Sequence, residues 1–279
     1  MKNIEINSVG NFSGGEYDSV EINGVGKCEG SFQARELEVN GVLKCDGTVR
    51  ADQMEINGTF KCDDRLDAGE ADICGAVTVE GSAGIEKLSV DGALTVGPAP
   101  REGAPALECS DVECDGAMKV KGAMTAKTVQ VDGKLSVEGP SLECDTLECD
   151  GTLTVNGQIS ADSVEVEGII TAQEIVGDRV CITSYAGKGF YFSMNGKRLV
   201  DIKFGGFTHG SRRNGAGSQV GLIEATTIEL EDVTADTVNG TDVTIGPGCI
   251  IEHLDCNGRL SIDPNAMVKS ITGDYTMEN

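Results

Sequence analysis

A five-residue pattern that returns about every 17 residues constrains the fold of this chain more than any other feature. The letters VEING at residues 20–24 return as LEVNG at 37–41 and as MEING at 54–58. The pattern continues to VEVEG at 164–168, with one break at a Pro-containing insertion. Repetition at a fixed period is the signature of a stacked architecture in which each repeat packs against its neighbours.

Within each repeat the residue types alternate in the way typical of a strand with one buried face. The pentad is apolar at its first and third positions, the six residues after it alternate as well, and a third short stretch completes the unit. Glycine at two corners, where positive φ or a close backbone approach is needed, predicts three short strands around a triangular coil. We therefore predict an all-β fold, a single-stranded parallel β-helix with triangular coils of about 17 residues.

Two observations favour this fold over an α-helical repeat of similar length. Glycine interrupts the repeat every five or six residues, which leaves no segment long enough for a stable helix. Aromatic residues are only 4% of the chain, Trp is absent and 39% of residues are apolar, so the predicted interior is narrow and aliphatic.

Alternation also predicts which side chains face the core. In the repeat around residue 45 we expect these side chains to point inward: Val39, Leu43, Cys45, Val49 and Ala51. We expect these to point outward: Glu38, Lys44 and Arg50. A register shifted by one residue would reverse every assignment.

The repeat divides the chain into three parts. Residues 1–178 are predicted to form the main β-helix, with the Pro-containing insertion near 97–106. Residues 179–217 form an aromatic, basic and Gly-rich excursion without the repeat. Alternation and corner residues return in residues 218–279, which are predicted to form C-terminal β-helical coils.

The excursion differs in charge from the rest of the chain. Residues 179–213 carry seven basic residues against the single acid Asp201, in a chain with a net charge of −24. A flexible surface loop is the interpretation we favour, because Gly, Ser and Asn cluster where a loop turns in solvent. The alternative is a binding surface for an acidic protein, an envelope component, a polysaccharide or a neighbouring copy. Its candidate contacts are Lys197, Arg198, Lys203, Arg212 and Arg213.

Charge and hydropathy exclude several functions. A net charge of −24 disfavours binding to nucleic acid or to anionic lipid by the molecule as a whole. No stretch approaches the roughly 20 apolar residues of a transmembrane helix. The first residues lack the apolar run of a signal peptide, so we expect a cytoplasmic protein whose 11 cysteines are reduced. The Gly-rich part of the excursion lacks the Gly-Lys-Ser/Thr ending of a phosphate-binding loop.

The cysteines suggest packing rather than metal chemistry. Cys28, Cys45 and Cys62 recur at the coil period on inward positions, where later coils hold valine. Two further pairs, Cys109 with Cys114 and Cys144 with Cys149, leave four residues between thiols, whereas zinc sites more typically leave two. We predict no metal, no cofactor and no catalytic residue, with a metal or redox ladder as the alternative.

His253 raises an enzymatic alternative. It follows the stretch VTIGPGCII at residues 243–251, which resembles the hexapeptide repeats of β-helix acyltransferases. Those enzymes use a histidine base in a cleft between subunits. The resemblance covers one coil, and a lone histidine beside an apolar run is usually structural, so acyl transfer is the second hypothesis.

The repeat as a whole resembles the bactofilin-related, polymer-forming cytoskeletal proteins of bacteria. The resemblance is carried by residues 14–30, by IEL at 228–230, by VTIGPGC at 243–249 and by Ile262-Asp263-Pro264. It implies a right-handed β-helix that assembles end to end without a nucleotide and serves as a scaffold for cell-shape or envelope machinery. The family offers no catalytic residue to transfer.

The ends of a β-helix are where self-association is expected. Each terminal coil has an edge of backbone N–H and C=O groups that must be covered or will pair with another chain. Residues 4–7 already alternate as a first coil, which makes Ile4 and Ile6 the candidate self-association residues.

Overall fold

A computed structural model describes residues 2–98, 101, 103–183, 191–194, 197–201 and 217–278. The strands of the first nine coils are β1 Lys2–Ile6, β2 Val9–Ile22, β3 Val25–Val39, β4 Val42–Cys45, β5 Val49–Ile56, β6 Thr59–Cys62, β7 Leu66–Ile73, β8 Ala76–Val79, β9 Ala83–Val90, β10 Ala93–Val96, β11 Leu107–Cys114, β12 Ala117–Val120, β13 Met124–Thr125, β14 Thr128–Val131, β15 Lys134–Val137 and β16 Ser141–Cys149. The remaining strands are β17 Thr152–Val155, β18 Gln158–Val166, β19 Ile169–Thr183, β20 Tyr191–Met194, β21 Lys197–Asp201, β22 Ser218–Glu231, β23 Val233–Ile245, β24 Ile250–Cys256, β25 Arg259–Ile262, β26 Met267–Thr272 and β27 Thr276–Met277.

These strands stack as a parallel β-solenoid of about 14 turns, which confirms the predicted all-β, right-handed parallel β-helix. Successive coils pair at the predicted period: Leu43 lies beside Phe60, and Val77 beside Leu94. No α-helix occurs among the described residues, and in that part of the chain no helix is long and apolar enough to cross a membrane.

Each coil has three faces, which we name A, B and C. In the coil that begins at residue 42, β4 forms face A. The next strand, β5, bends near Asp52, so that residues 49–51 form face B and residues 53–56 form face C. Every face contributes two inward side chains to the core.

The core is a column of aliphatic and thiol side chains. All five predicted inward residues are buried, from 0% exposed for Val39 to 6% for Ala51. On the outer surface Lys44 and Arg50 are exposed and Glu38 is half-buried. The predicted register is therefore correct, and the interior is as narrow as the scarcity of aromatic residues suggested.

Glycine at the corner between faces C and A is explained by a close backbone approach. A Cβ built on Gly75 would overlap the carbonyl oxygen of Gly58 and lie 2.7 Å from the carbonyl carbon of Asn57. The same overlap recurs in coil after coil at this corner. Since Gly58 and Gly75 are not in the left-handed region, close approach rather than positive φ requires glycine here.

An asparagine ladder runs along the same corner in the first coils. The side-chain amide of Asn23 donates to the side-chain oxygen of Asn7 at 3.0 Å, that of Asn40 to Asn23 at 2.9 Å, and that of Asn57 to Asn40 at 3.0 Å. Each of these amides also donates to the glutamate two residues earlier. The stacking of coils is thereby continued by side chains outside the core.

Two long interruptions of the repeat leave the stack continuous. Leu94 pairs with Met118, so the additional residues of the insertion lie between them. Val180 of β19 pairs with Ile228 of β22, although residues 184–216 separate the two strands in sequence, so residues 179–183 of the predicted excursion belong to the stack. The C-terminal strands therefore extend the same stack, and pairing continues to Met277, which lies beside Leu260. Strands β20 and β21 pair with each other as an antiparallel two-stranded sheet.

Candidate functional site

The N-terminal end of the solenoid is built by β1 on β2. Ile4 and Ile6 lie beside Val20 and Ile22 of the next coil and pack against the core, yet both remain half-buried because nothing covers their other side among the described residues. The predicted self-association residues thus form the outermost described layer of the apolar core at this end.

The backbone direction at this end decides which atoms are available for pairing. The carbonyl oxygen of Ile6 accepts the N–H groups of Asn23 at 2.9 Å and of Gly24 at 2.8 Å, so it points into the rod. Because N–H and C=O of one strand residue point to the same side and alternate along the strand, those of Glu5 point to the outer edge. Within the described residues, β1 pairs with β2 alone.

The C-terminal end has the complementary arrangement. Ala266, Val268 and Ile271 are half-buried side chains of the last coil that pack against the core, and Met277 is 52% exposed. These residues were not singled out from the sequence, although their alternation with polar neighbours is the same signal that identified Ile4 and Ile6. Both ends of the described stack therefore leave the edge of a β-ladder and the end of the core accessible.

The basic candidates of the excursion are placed only in part. The backbone of Lys197 and Arg198 lies in β21, opposite Met194 and Ser193, and their side chains are outside the described set. Lys203, Arg212 and Arg213 lie outside the described residues. The binding-surface interpretation of this segment stays a prediction.

The side chain of His253 lies on the outer surface of β24. Its Nδ1 is 2.9 Å from the hydroxyl oxygen of Ser270, and its Nε2 is 3.5 Å from that of Thr272. Both hydroxyls belong to the following coil, where Ser270 is the register partner of His253. Both nitrogens of the imidazole thus contact hydroxyl groups of the following coil.

The thiols at inward positions form part of the core. Cys28, Cys45 and Cys62 are fully buried and stack in register, and Cys62 lies beside Val79. Burial raises the pKa of Cys62 to about 12, whereas the hydrogen bond with Cys45 and then burial raise that of Cys28 far above its usual range. A thiol held protonated in this way is a poor nucleophile and a poor metal ligand.

The paired cysteines are split between two environments. Cys114 and Cys149 are buried in the core, and burial raises their pKa to about 11 and about 12. Cys109 and Cys144 are half-buried at the second inward position of face B, and burial raises the pKa of each to about 12. Among the described residues no group of three or more His, Cys, Asp or Glu side chains has the arrangement of a metal site.

These thiols predict a loss of stability in alkali. A thiol whose folded-state pKa is raised above the ordinary 9.0 stabilises the fold fully below pH 9, and that contribution is lost as the pH rises toward 12. Each such thiol lowers the free energy of unfolding by about 1.4 kcal/mol per pH unit in this window. Urea titrations at pH 8 to 11 should show the decline, and it should be shallower in Cys62→Val with Cys149→Val. If the free energy of unfolding falls equally steeply with pH in wild type and in the double variant, the raised pKa values of these two thiols are wrong.

The sides of the rod carry shallow, acidic depressions. One of about 460 Å³ lies where face B meets face C. Its lining is Arg35, Glu36, Asp52, Gln53, Gly69, Glu70, Glu86 and Lys87. It is wide open to solvent and lacks the enclosed, apolar floor that is expected of a small-molecule site.

Comparison with known proteins adds a short similarity. No family model matches the chain, and no solved structure matches it. An uncharacterized protein of Bacillus subtilis (strain 168), YhbE, is 45% identical over 51 residues, which are 18% of this chain and 22% of that protein. The chain spans about a fifth of the length of this relative. The similarity is local and carries no information about activity.

Proposed function

We propose that this protein is a non-enzymatic structural scaffold of the bactofilin-related type, which self-associates end to end through the terminal coils of its β-helix. The observation that carries the proposal is the accessible ladder edge of β1, where Ile4 and Ile6 present the end of the core and Glu5 presents backbone N–H and C=O groups. A strand edge of this kind is a template for pairing with another chain.

The C-terminal end supports the same assembly. There the half-buried Val268 and Ile271 offer an apolar surface, and the inward residues of the last coil direct their backbone groups away from the rod. A second copy added at either end would continue the backbone ladder and cover apolar side chains in one step. Burial of apolar area and new backbone hydrogen bonds at the ends would stabilise the contact directly. Assembly by this route therefore needs no nucleotide.

Two further observations favour a scaffold over an acyltransferase. His253 lies against hydroxyls of the neighbouring coil, as expected of a structural histidine. Burial raises the pKa of Cys62 and of Cys149, as expected of packing residues rather than nucleophiles. As part of the same proposal we place the scaffold in the cytoplasm, where the 11 cysteines stay reduced.

The end contact can be tested with a proline at the outer edge. Glu5→Pro removes an N–H that points away from the rod, while the Ile6 carbonyl that accepts from Asn23 and Gly24 is retained. We expect sedimentation velocity to show association at least about 10-fold weaker than wild type, since the loss of even ~1.4 kcal/mol at the contact has that effect. Glu5→Thr is the matched control, because it removes the same carboxylate but keeps the N–H.

A salt series separates this contact from a second one. In the same proposal the basic residues Lys197, Arg198, Lys203, Arg212 and Arg213 make a secondary contact with acidic surfaces of a neighbour. Backbone pairing should persist as salt is added, whereas this ionic contact should weaken once charges are screened beyond about 8 Å. If Glu5→Pro and Glu5→Thr associate equally well at every salt concentration, pairing through the N-terminal edge is wrong.

A further inference from the structure

Face A differs from face C in carrying almost no acid. Its outward positions run from Val9 to Met267 along about 14 turns. In chain order they are Val9, Asn11, Val25, Lys27, Val42, Lys44, Thr59, Lys61, Ala76, Thr78, Ala93, Thr95, Ala117, Lys119, Lys134, Ser136, Thr152, Thr154, Ile169, Thr171, Gly217, Gln219, Asp232, Thr234, Gly248, Ile250, Asn265 and Met267. Asp232 is the one acid among them, in a chain that has 46 Asp and Glu residues.

The exposed apolar side chains collect on the same face. Eight large hydrophobic residues are exposed in the described part of the chain, and six of them are outward residues of face A. These six are Val9 at 80%, Val25 at 49%, Val42 at 43%, Ile169 at 38%, Ile250 at 42% and Met267 at 49% exposed. Apolar exposure along one side of a soluble rod marks an interaction surface.

The lysines of face A do not make it an anion-binding surface. Lys27 pairs with Asp46 at 3.2 Å, Lys44 with Asp63 at 3.1 Å and Lys61 with Glu80 at 2.7 Å. Lys119 pairs with Glu138 at 2.8 Å. These acids lie at the rim, just beyond the strands of face A. Most lysines of face A are therefore already neutralised by ion pairs within the same chain. A neutral partner surface fits this face better than a phosphate-rich one.

Face C is a poor surface for contact with a second rod, because it carries stacked acidic side chains. On face C the side chains of Glu21, Glu38, Glu55 and Asp72 stack in register along consecutive coils. Two rods that met through such columns would bring like charges together, which is unfavourable. Face A has no such column at its outward positions, and unlike face B it also collects the exposed apolar side chains.

We propose that face A is a lateral contact between two copies of this chain, packed face to face. A strand segment of four residues spans about 13 Å, and 14 coils at a spacing of about 4.8 Å span about 67 Å. The contact would therefore cover roughly 870 Å² on each copy, which is close to the ~800 Å² per partner of a stable interface. The small Ala and Thr side chains allow the two sheets to approach closely.

Charge and apolar residues together select antiparallel rods. In a parallel pair Lys27, Lys44 and Lys61 would face the same lysines of the second copy. In an antiparallel pair they lie opposite the C-terminal part of face A, where the outward residues include Gln219, Thr234 and Ile250. In this arrangement the exposed apolar side chains at the N-terminal end of one copy lie opposite those at the C-terminal end of the other.

The excursion is a less suitable occupant of face A. Residues 179–213 have seven basic residues against one acid, so their charge complements the acidic column of face C. Face A offers them a single carboxylate at its outward positions, that of Asp232. A second copy removes apolar surface without any need for opposite charge.

The test is the mass per unit length of the particles, measured by small-angle X-ray scattering. End-to-end growth changes particle length but leaves this quantity unchanged, so the lateral contact is tested independently of the proposed function. We expect wild type to show twice the single-rod value, which is 29.1 kDa over roughly 67 Å. Thr78→Glu with Thr95→Glu places two acids on neighbouring coils of face A and should return the single-rod value, a two-fold drop.

The matched control is Thr128→Glu with Thr146→Glu, which adds the same two charges on neighbouring coils of face C. It should keep the doubled value. A single-rod value for wild type would overturn the proposal. So would equal values for the two double variants, whether both stay doubled or both fall, because the effect would then not belong to face A.

Discussion

Val39→Asp should lower the free energy of unfolding by about 4 kcal/mol or more and the melting temperature by on the order of 10 °C. Val39 is fully buried between Ile22 of the preceding coil and Ile56 of the following coil. A carboxylate there has only aliphatic neighbours in its column, so it must be buried unpaired or protonated. Because each coil is held by its neighbours, the loss weakens both contacts at once.

The control for this substitution is Val42→Asp, which makes the same change on the outer surface. Val42 is 43% exposed on face A of the next coil. It should change the melting temperature little, since exposed substitutions generally cost less than about 0.5 kcal/mol. Thermal melts followed by circular dichroism compare the two variants. If they melt together, the inward and outward assignments of the coil are wrong.

Gly75→Ala should be strongly destabilising, although it adds only one methyl group. The added Cβ would overlap the carbonyl oxygen of Gly58, and two further backbone atoms of Asn57 lie 2.7 Å away. Backbone packed between two coils cannot move aside as a flexible side chain would. We expect a cost of about 3 kcal/mol, at the upper end of the range for overpacking.

Gly10→Ala is the matched control because its Cβ would meet a side chain at an ordinary distance. The nearest heavy atom is Cδ1 of Ile6 at 3.4 Å. Urea denaturation should show a small change for Gly10→Ala and a large one for Gly75→Ala. Comparable midpoints would mean that the corner has room for a side chain, and the close approach of successive coils would have to be abandoned.

The sequence was sufficient to predict the interior of the rod, because strand alternation is a local property. Val39, Leu43 and Cys45 were assigned inward from their spacing alone, and the structure confirms them. The spacing of the corner glycines does not distinguish positive φ from a close backbone approach as the reason for glycine. Only the distance between successive coils decides it, as Gly58 and Gly75 show.

The surfaces were harder to predict because they depend on which coils lie next to each other. Ile4 and Ile6 can be identified as end residues because alternation starts with them. Val268 and Ile271 follow C-terminal coils that are shorter than the usual repeat, as the pairing of Val220 with Ala235 shows, so their place at the end of the stack is harder to predict. The acid-poor face A becomes visible only when the register is known across the insertion and the excursion. Each of these interruptions shifts the sequence period while the stack continues.

The central claim is that the solenoid grows by joining its ends, and rod length measures this most directly. One copy with about 14 turns spaced by about 4.8 Å is a rod of about 67 Å. Electron microscopy of the purified protein over a series of concentrations and salt should show rods whose lengths are multiples of this value, and Glu5→Pro should shorten them. Rods of about 67 Å under every condition would contradict the account and leave a solitary binding rod.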